Sequence, residues 1–224
     1  MKYLPVFLFV TFFSTVIFSQ DVKNEEDYSA HGIQFQIGSN FQLESFDGLT
    51  FSYLYRVNKN YFFRFGIGTS LSLEDASTTA GEADTLEHKG NADRYGITLS
   101  GDLIFTLVRK NGFSMIAGGG PFVTYHYSRN YSNKPTGNQT YDKTDVINEW
   151  NVGLGLLIGA QFELNENIVF SGEYGLNIGY NSKNENFKQT ATTYGNTRTL
   201  LTKIEINSFN ISNSAFKFGV AVYF

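Results

Sequence analysis

The 224-residue sequence lacks cysteine. Disulfides, thiolate metal sites and thiol catalysis are therefore all excluded. Proline occurs only three times, and charged residues make up 17% of the chain with a net charge of -4. No basic face is evident, so a nucleic-acid partner is not expected. No stretch after residue 30 is apolar for 18 residues, so no membrane-spanning helix is predicted there.

Aromatic residues and glycine are what the chain has in abundance. It contains 22 Phe, 14 Tyr and 22 Gly, but a single Trp. Aromatic side chains fill a pleated surface well, so this composition favours strands and turns over helices.

The first residues are typical of a targeting segment. Lys2 precedes an apolar run from Leu4 to Phe18, and Ser19 offers a small residue at a cleavage point. The run is too short for the ~20 residues of a spanning helix and fits a signal peptide. We therefore expect a signal peptide over 1–19, a periplasmic lead-in over 20–30 and one barrel domain over 31–224. An uncleaved N-terminal anchor is the alternative.

Apolar and polar residues alternate along the rest of the chain. Ile33, Phe35 and Ile37 share one parity, for example, against Gln34 and Gln36. Eight such segments occur, over about 33–41, 49–57, 61–73, 94–107, 113–127, 150–163, 168–180 and 216–224. Strands of ~9–11 alternating residues in an even number predict an all-β fold, an eight-stranded antiparallel up-and-down transmembrane β-barrel.

The connections between these segments support the same fold. Short turns at 58–60, 108–112 and 164–167 alternate with longer predicted loops at 42–47, 74–92, 128–147 and 182–212. Membrane barrels have short periplasmic turns and long extracellular loops, so both termini should be periplasmic. The fifth strand contains Gly118-Gly119-Gly120-Pro121, and Pro121 predicts a bulge or local break there, across which the parity of the strand could slip.

A soluble lipocalin-like barrel that binds an apolar ligand is the main alternative fold. It would place the bulky apolar set inside, whereas a membrane barrel places that set in lipid. The polar set here is rich in Gly, Ser, Asn and Gln with few charges, which suits the crowded interior of an eight-stranded barrel. Aromatic residues near predicted strand ends suit an interfacial belt: Tyr55, Tyr61, Tyr127, Trp150 and Tyr180.

The last strand alternates Phe216, Phe218, Val220, Val222 and Phe224, and it resembles the C-terminal assembly signal of outer-membrane barrels. Together with the strand count, the turn pattern and Gly-Glu-Tyr-Gly-Leu-Asn at 172–177, the chain resembles the PorT-like outer-membrane β-barrel domain family, of the OmpA/OmpX-like eight-stranded type. That resemblance implies an outer-membrane location in a Gram-negative envelope and a largely undefined molecular role.

Seven charged residues are expected to face the lumen: Arg56, Arg64, Arg94, Asp102, Glu163, Glu173 and Lys217. Isolated charges in a low-dielectric interior cost several kcal/mol. We therefore expect a network in which Arg64 and Lys217 meet Glu173 or Asp102. Such a network would fill and stabilise the lumen, or alternatively line a narrow path for solutes.

The sequence predicts a non-enzymatic envelope protein that acts through its extracellular loops, in a structural, adhesion or accessory role. A narrow pore or transporter for small solutes is the alternative. A lipid-modifying enzyme would need an accessible His with Ser or acidic partners, and no such set can be assembled. No cofactor or metal is expected. The expected partners are outer-membrane lipid, lipopolysaccharide and the barrel assembly machinery, and the chain is expected to be a monomer.

Overall fold

A computed structural model of the chain describes residues 30–38, 48–80, 86–136, 139–194, 196–214 and 216–224. The predicted signal peptide and all but the last residue of the lead-in lie outside these residues. Within them, no helix is long and apolar enough to cross a membrane. The strands are β1 (His31–Gly38), β2 (Leu49–Arg56), β3 (Tyr61–Ala80), β4 (Leu86–Lys110), β5 (Phe113–Thr136), β6 (Gln139–Glu163), β7 (Ile168–Thr193), β8 (Asn196–Asn213) and β9 (Lys217–Tyr223).

The strands form a closed antiparallel ring. Each strand from β1 to β7 pairs with the next along the chain, and β9 closes the ring by pairing with both β7 and β1. Strand β8 pairs with the outer part of β7, so β8 and β9 are two parts of one barrel strand. The ring therefore has eight strand positions, which confirms the predicted up-and-down barrel.

A β-bulge separates β8 from β9. Asn213 pairs with Leu176 and Lys217 pairs with Glu173, so the register against β7 shifts by one residue between the two pairs. One extra residue reverses which side chains face inward on the two sides of the bulge.

Pro121 breaks the ladder without shifting its register. Gly120 and Pro121 have no partners in the β4 register, while Pro121 remains opposite Leu154 of β6. The expected local break is present because proline cannot donate a backbone hydrogen bond. The parity does not slip there; the register shift on this hairpin lies instead between Thr106 and Val108.

The apolar set faces outward along the strands. Phe51 and Ile67 are 57% and 53% exposed, whereas the inward-facing Ser52 and Gln34 are 6% and 3% exposed. A lipocalin-like barrel would have the reverse arrangement, so that alternative is wrong. An outward apolar band with a polar interior is the arrangement of a barrel embedded in lipid.

Three of the predicted long loops are largely strand. The segments predicted as loops at 74–92, 128–147 and 182–212 belong to hairpins whose ladders run out to Ala80↔Leu86, Thr136↔Gln139 and Thr193↔Asn196. Outside the bilayer a strand needs no apolar face, so the alternation that reveals membrane strands is weak there. The predicted loop at 42–47 lies outside the described residues.

The short turns lie together at the opposite end of the barrel. Asn58 Oδ1 accepts hydrogen bonds from the backbone of Asn60 and Tyr61 at 2.8 and 3.1 Å. Asn165 Oδ1 repeats this arrangement in the turn before β7. The β4–β5 turn is the two-residue Asn111–Gly112, with φ of 50° and 77°. Asn-Gly is the preferred sequence for such a turn because both residues tolerate positive φ.

Candidate functional site in the barrel lumen

An apolar layer closes the lumen at the end where the short turns lie. Its seven members are each at most 5% exposed: Leu54, Phe62, Ile104, Ile116, Val169, Ala221 and Tyr223. They occupy inward positions near the starts or ends of their strands. Leu157 packs against this layer from the lumen. The interior of an eight-stranded barrel is just wide enough for side chains to fill it, and here they do.

A buried ion cluster lies above the apolar layer. Arg64 donates through Nη1 to both carboxylate oxygens of Glu173, at 2.8 and 2.7 Å, and through Nε to Asp102 at 3.0 Å. A second contact joins Arg64 Nη2 to Asp102 at 2.9 Å. Arg64 and Glu173 are 6% and 3% exposed. Hydrogen-bonded carboxylates on two sides of one guanidinium compensate its loss of hydration.

A polar contact links this cluster to β1. Gln34 donates to Ser171 Oγ at 2.9 Å, and its Oε1 accepts a longer bond of 3.4 Å from Arg64. The cluster therefore ties together β1, β3, β4 and β7, which are far apart in sequence.

Lys217 lies beside the cluster without a described carboxylate at ion-pair distance. Its one hydrogen bond to a described residue is a 3.5 Å contact from Nζ to Thr50 Oγ1. The expected meeting of Arg64 with Glu173 and Asp102 is thus present in the geometry. The expected contact of Lys217 with either carboxylate is not.

The other three predicted lumen charges lie outside the cluster. Arg56 stacks over the Tyr223 ring at 3.5 Å, and Glu163 pairs with Arg109 at 3.0 Å, both near the short turns. Arg94 is exposed on the long-hairpin side. The alternation predicted that all seven charged residues face the lumen. It does not predict the height of each residue along the barrel axis, and that height decides which of them can meet.

A cavity of about 370 Å³ occupies the lumen on the long-hairpin side of the cluster. Glycines, which have no side chain to fill the lumen, make up part of its wall. The cavity wall includes Gly68, Gly96, Gly120, Gly155 and Gly175. Alternation placed four of these glycines in the polar set and left the facing of Gly120 unassigned, and it did not predict the cavity that they line.

Hydroxyl and amide groups also line this cavity, which we call the vestibule: Thr50, Ser70, Thr98, Ser100, Thr124, Asn151, Asn177 and Ser214. Leu49, Leu156, Leu157 and Tyr174 are apolar members of the same lining. Thr98 and Thr124 hydrogen-bond each other at 2.9 Å. Phe122 is the one phenylalanine among the lining residues, and His126 lies over Gly96 near the mouth. The charged lining groups are Arg64, Lys217, Asp102 and Glu173, two of each sign.

The predicted interfacial aromatics fall at the two ends of the apolar band. Tyr127 stacks on Tyr95 with ring centroids 4.8 Å apart, and Trp150 contacts Tyr125 at the same distance. Tyr180 is exposed and lies opposite Val152, at the same long-hairpin end of the band. Tyr55 and Tyr61 lie at the short-turn end, where Tyr61 contacts Phe105. Tyr95 and Tyr125 join the outer belt although the sequence pattern did not assign them to it.

The β7–β8 hairpin extends far beyond this belt. From Asn181 to Thr193 it spans roughly 40 Å at ~3.3 Å per residue. Ion pairs Lys183–Glu185 and Lys203–Glu205 run along it at 3.1 and 2.6 Å. The hydrogen bond from Lys203, reinforced by its charge, lowers the pKa of the Glu205 carboxyl.

The C-terminal strand places its predicted assembly residues on the lipid face. Phe218 and Phe224 are 64% and 65% exposed, and Phe216, Val220 and Val222 share their orientation with lower exposure. The structure thus gives these side chains no packing role inside the barrel. Among the described residues, no group of three or more His, Asp or Glu side chains is arranged to hold a metal ion.

Comparison with known proteins gives structural likeness only. No family model and no curated protein sequence matches the chain. The solved structures that resemble it include CarO of Acinetobacter baumannii, with TM-score 0.42 and 13% identity over 90% of this chain and 100% of that one. A major outer membrane protein of Thermus thermophilus resembles it with TM-score 0.48 and 16% identity, over 87% of this chain and 100% of that one. Ail, the attachment invasion locus protein of Yersinia pestis, resembles it with TM-score 0.34 and 12% identity, over 87% of this chain and 93% of that one.

The class of protein follows from the geometry of the chain itself. A closed eight-stranded ring, an outward apolar band and aromatic side chains at both of its edges are the properties of the bacterial outer-membrane β-barrels. The chain is an outer-membrane β-barrel of this small eight-stranded type. The assignment to the PorT-like family stays a prediction.

Proposed function

We propose that this protein is a non-conducting, non-enzymatic outer-membrane barrel that acts at the cell surface through its three long hairpins. One observation carries the proposal: the lumen is closed at the short-turn end by the apolar layer and above it by the Arg64 cluster. A continuous path for solutes would have to cross both layers. The narrow-pore alternative therefore has no supporting feature in the described residues.

The hairpins supply the surface through which the proposed role would be exercised. They carry polar and charged side chains on ladders that are fully paired between their own strands. Such ladders hold their side chains in fixed positions, unlike irregular loops. Structural, adhesion and accessory roles all fit this arrangement. Lipid and lipopolysaccharide around the band, and the assembly machinery at Phe224, are the proposed partners of a monomeric barrel.

Surface presentation can be tested by cysteine labelling on intact cells, because the natural chain has no cysteine. Asn196→Cys at the β7–β8 hairpin should react with a membrane-impermeant maleimide. Glu166→Cys in a short turn should react only after the outer membrane is permeabilised. Labelling of Glu166→Cys but not Asn196→Cys on intact cells would show that the hairpins point inward and would overturn the proposal.

A further inference from the structure

The vestibule has the features of a small-molecule site that the surface role does not require. Binding pockets usually measure roughly 300–1,000 Å³ and hold a few well-placed polar groups. At about 370 Å³, the vestibule is at the small end of this range. That size admits a ligand of one or two rings. Among the described residues the floor is closed, so the vestibule opens toward the long-hairpin side.

Phe122 contributes a flat apolar surface to the wall, which also contains Leu49, Leu156, Leu157 and Tyr174. Its ring reaches from β5 across the glycines of the neighbouring strands: a Cβ added to Gly155 would lie 4.0 Å from Phe122 Cδ1, and one added to Gly179 would lie 3.4 Å from Cζ. The ring therefore lies against bare backbone of β6 and β7. Phe122 also lines the vestibule, where an apolar ligand face could stack on its ring.

Two asparagines flank this ring. Asn177 Oδ1 lies 3.3 Å from the Cβ position of Gly155, and Asn151 Oδ1 lies beside that of Gly179. Both asparagines also line the vestibule, where their amide groups can bond to a ligand hydroxyl. Amides suit this task because they both donate and accept.

The charges of the lining favour a neutral ligand. Arg64 and Lys217 are balanced by Asp102 and Glu173. Arg64 already pairs with both Asp102 and Glu173. A charged ligand would leave the lining unbalanced, whereas ligand hydroxyl groups can bond to the Ser and Thr side chains of the lining.

We propose that the vestibule binds a neutral sugar, one face of whose ring stacks on Phe122 while its hydroxyl groups bond to Asn151 and Asn177. A sugar ring combines an apolar face of C–H groups with hydroxyls at its edge, which matches this wall. The ligand would be either a free sugar or the terminal sugar of a surface glycan. The proposal goes beyond the surface role and can fail without affecting it.

The test uses the refolded barrel in lauryldimethylamine oxide, because maltoside and glucoside detergents carry sugar head groups. Methyl glycosides of glucose, galactose and mannose, together with maltose and glucuronate, are titrated by calorimetry and saturation-transfer NMR. We expect at least one neutral sugar to bind. Its Kd should weaken at least tenfold in Phe122→Ala and in Asn151→Ala. Phe65→Ala, on the lipid face, is the matched control and should leave Kd unchanged.

Heat-dependent gel migration verifies that each variant is folded, and Phe122→Leu replaces Phe122→Ala if the latter is not. A neutral sugar that binds in free form identifies a soluble ligand, whereas binding only to glycans that end in that sugar identifies a surface glycan. The proposal is overturned if no neutral sugar or glycan binds at about 50 mM, if glucuronate binds more tightly, or if the Phe122 and Asn151 variants bind like the natural chain.

Discussion

At the scale of single residues, Arg64 is the side chain on which the interior depends most. It carries one charge for two carboxylates, the buried Glu173 and the partly buried Asp102. The alternation along each strand predicted that all three face inward. The contact of Arg64 with these two carboxylates was only one of several possible pairings. Strand tilt decides which inward residues of distant strands lie at the same height along the barrel axis.

Replacing Arg64 with Met should destabilise the barrel by about 3–5 kcal/mol, because the buried Glu173 and the partly buried Asp102 would lose their counter-charge. The measurement is urea-induced unfolding in lipid vesicles, followed by the fluorescence of Trp150. Arg109→Met, which removes the more exposed pair with Glu163, is the control and should cost less than ~1 kcal/mol. Equal losses in the two variants would contradict a structural role for the buried cluster.

Two glycines provide a second comparison at this scale. A Cβ on Gly153 would overlap the Ile178 carbonyl of the neighbouring strand, whereas one on Gly101 would lie 3.7 Å from the nearest atom of Phe65. Gly153→Ala should therefore destabilise the barrel by about 1–3 kcal/mol through overpacking. Gly101→Ala should be neutral or slightly stabilising in the same unfolding experiment. If Gly153→Ala is as stable as Gly101→Ala, the close approach of β6 and β7 is incorrect.

At the scale of elements, the membrane-spanning parts of the strands were predictable and their extensions were not. Within the bilayer, every second residue must suit lipid, so the pattern from Tyr61 to Leu73 indicates both the strand and its facing. Beyond the belt, the residues from Lys183 to Thr193 alternate only weakly, and the pairing of the backbone maintains the ladder. The bulge between Asn213 and Lys217 was also missed, because one extra residue leaves no mark in composition.

The β7–β8 hairpin should be dispensable for barrel folding. Deleting residues 184–205 and joining Lys183 to Ile206 through Asn-Gly keeps a cross-strand pair at the new turn. The closing ladders of β9 with β1 and β7 are unchanged. We expect the shortened chain to retain heat-dependent migration on a detergent gel. Deletion of residues 219–224, which removes most of the closing ladder, should abolish it. Loss of folding in the hairpin deletion would show that the hairpin supports the barrel.

At the scale of the whole molecule, the interior divides into a sealed half and an open half. The apolar layer and the Arg64 cluster fill the half near the short turns, and the vestibule lies in the other half. The sequence predicted a lumen either filled or conducting and left that choice open. The choice depends on the height of each inward residue along the axis, which only the three-dimensional register supplies.

Conductance in planar bilayers tests the sealed lumen most directly. The purified barrel is inserted at increasing protein concentration, and an unrelated large porin added to the same membrane verifies that channels can be detected. We predict no current steps above those of the lipid alone for the natural chain. Reproducible steps that scale with the amount of inserted barrel would contradict the sealed lumen and favour the narrow-pore alternative.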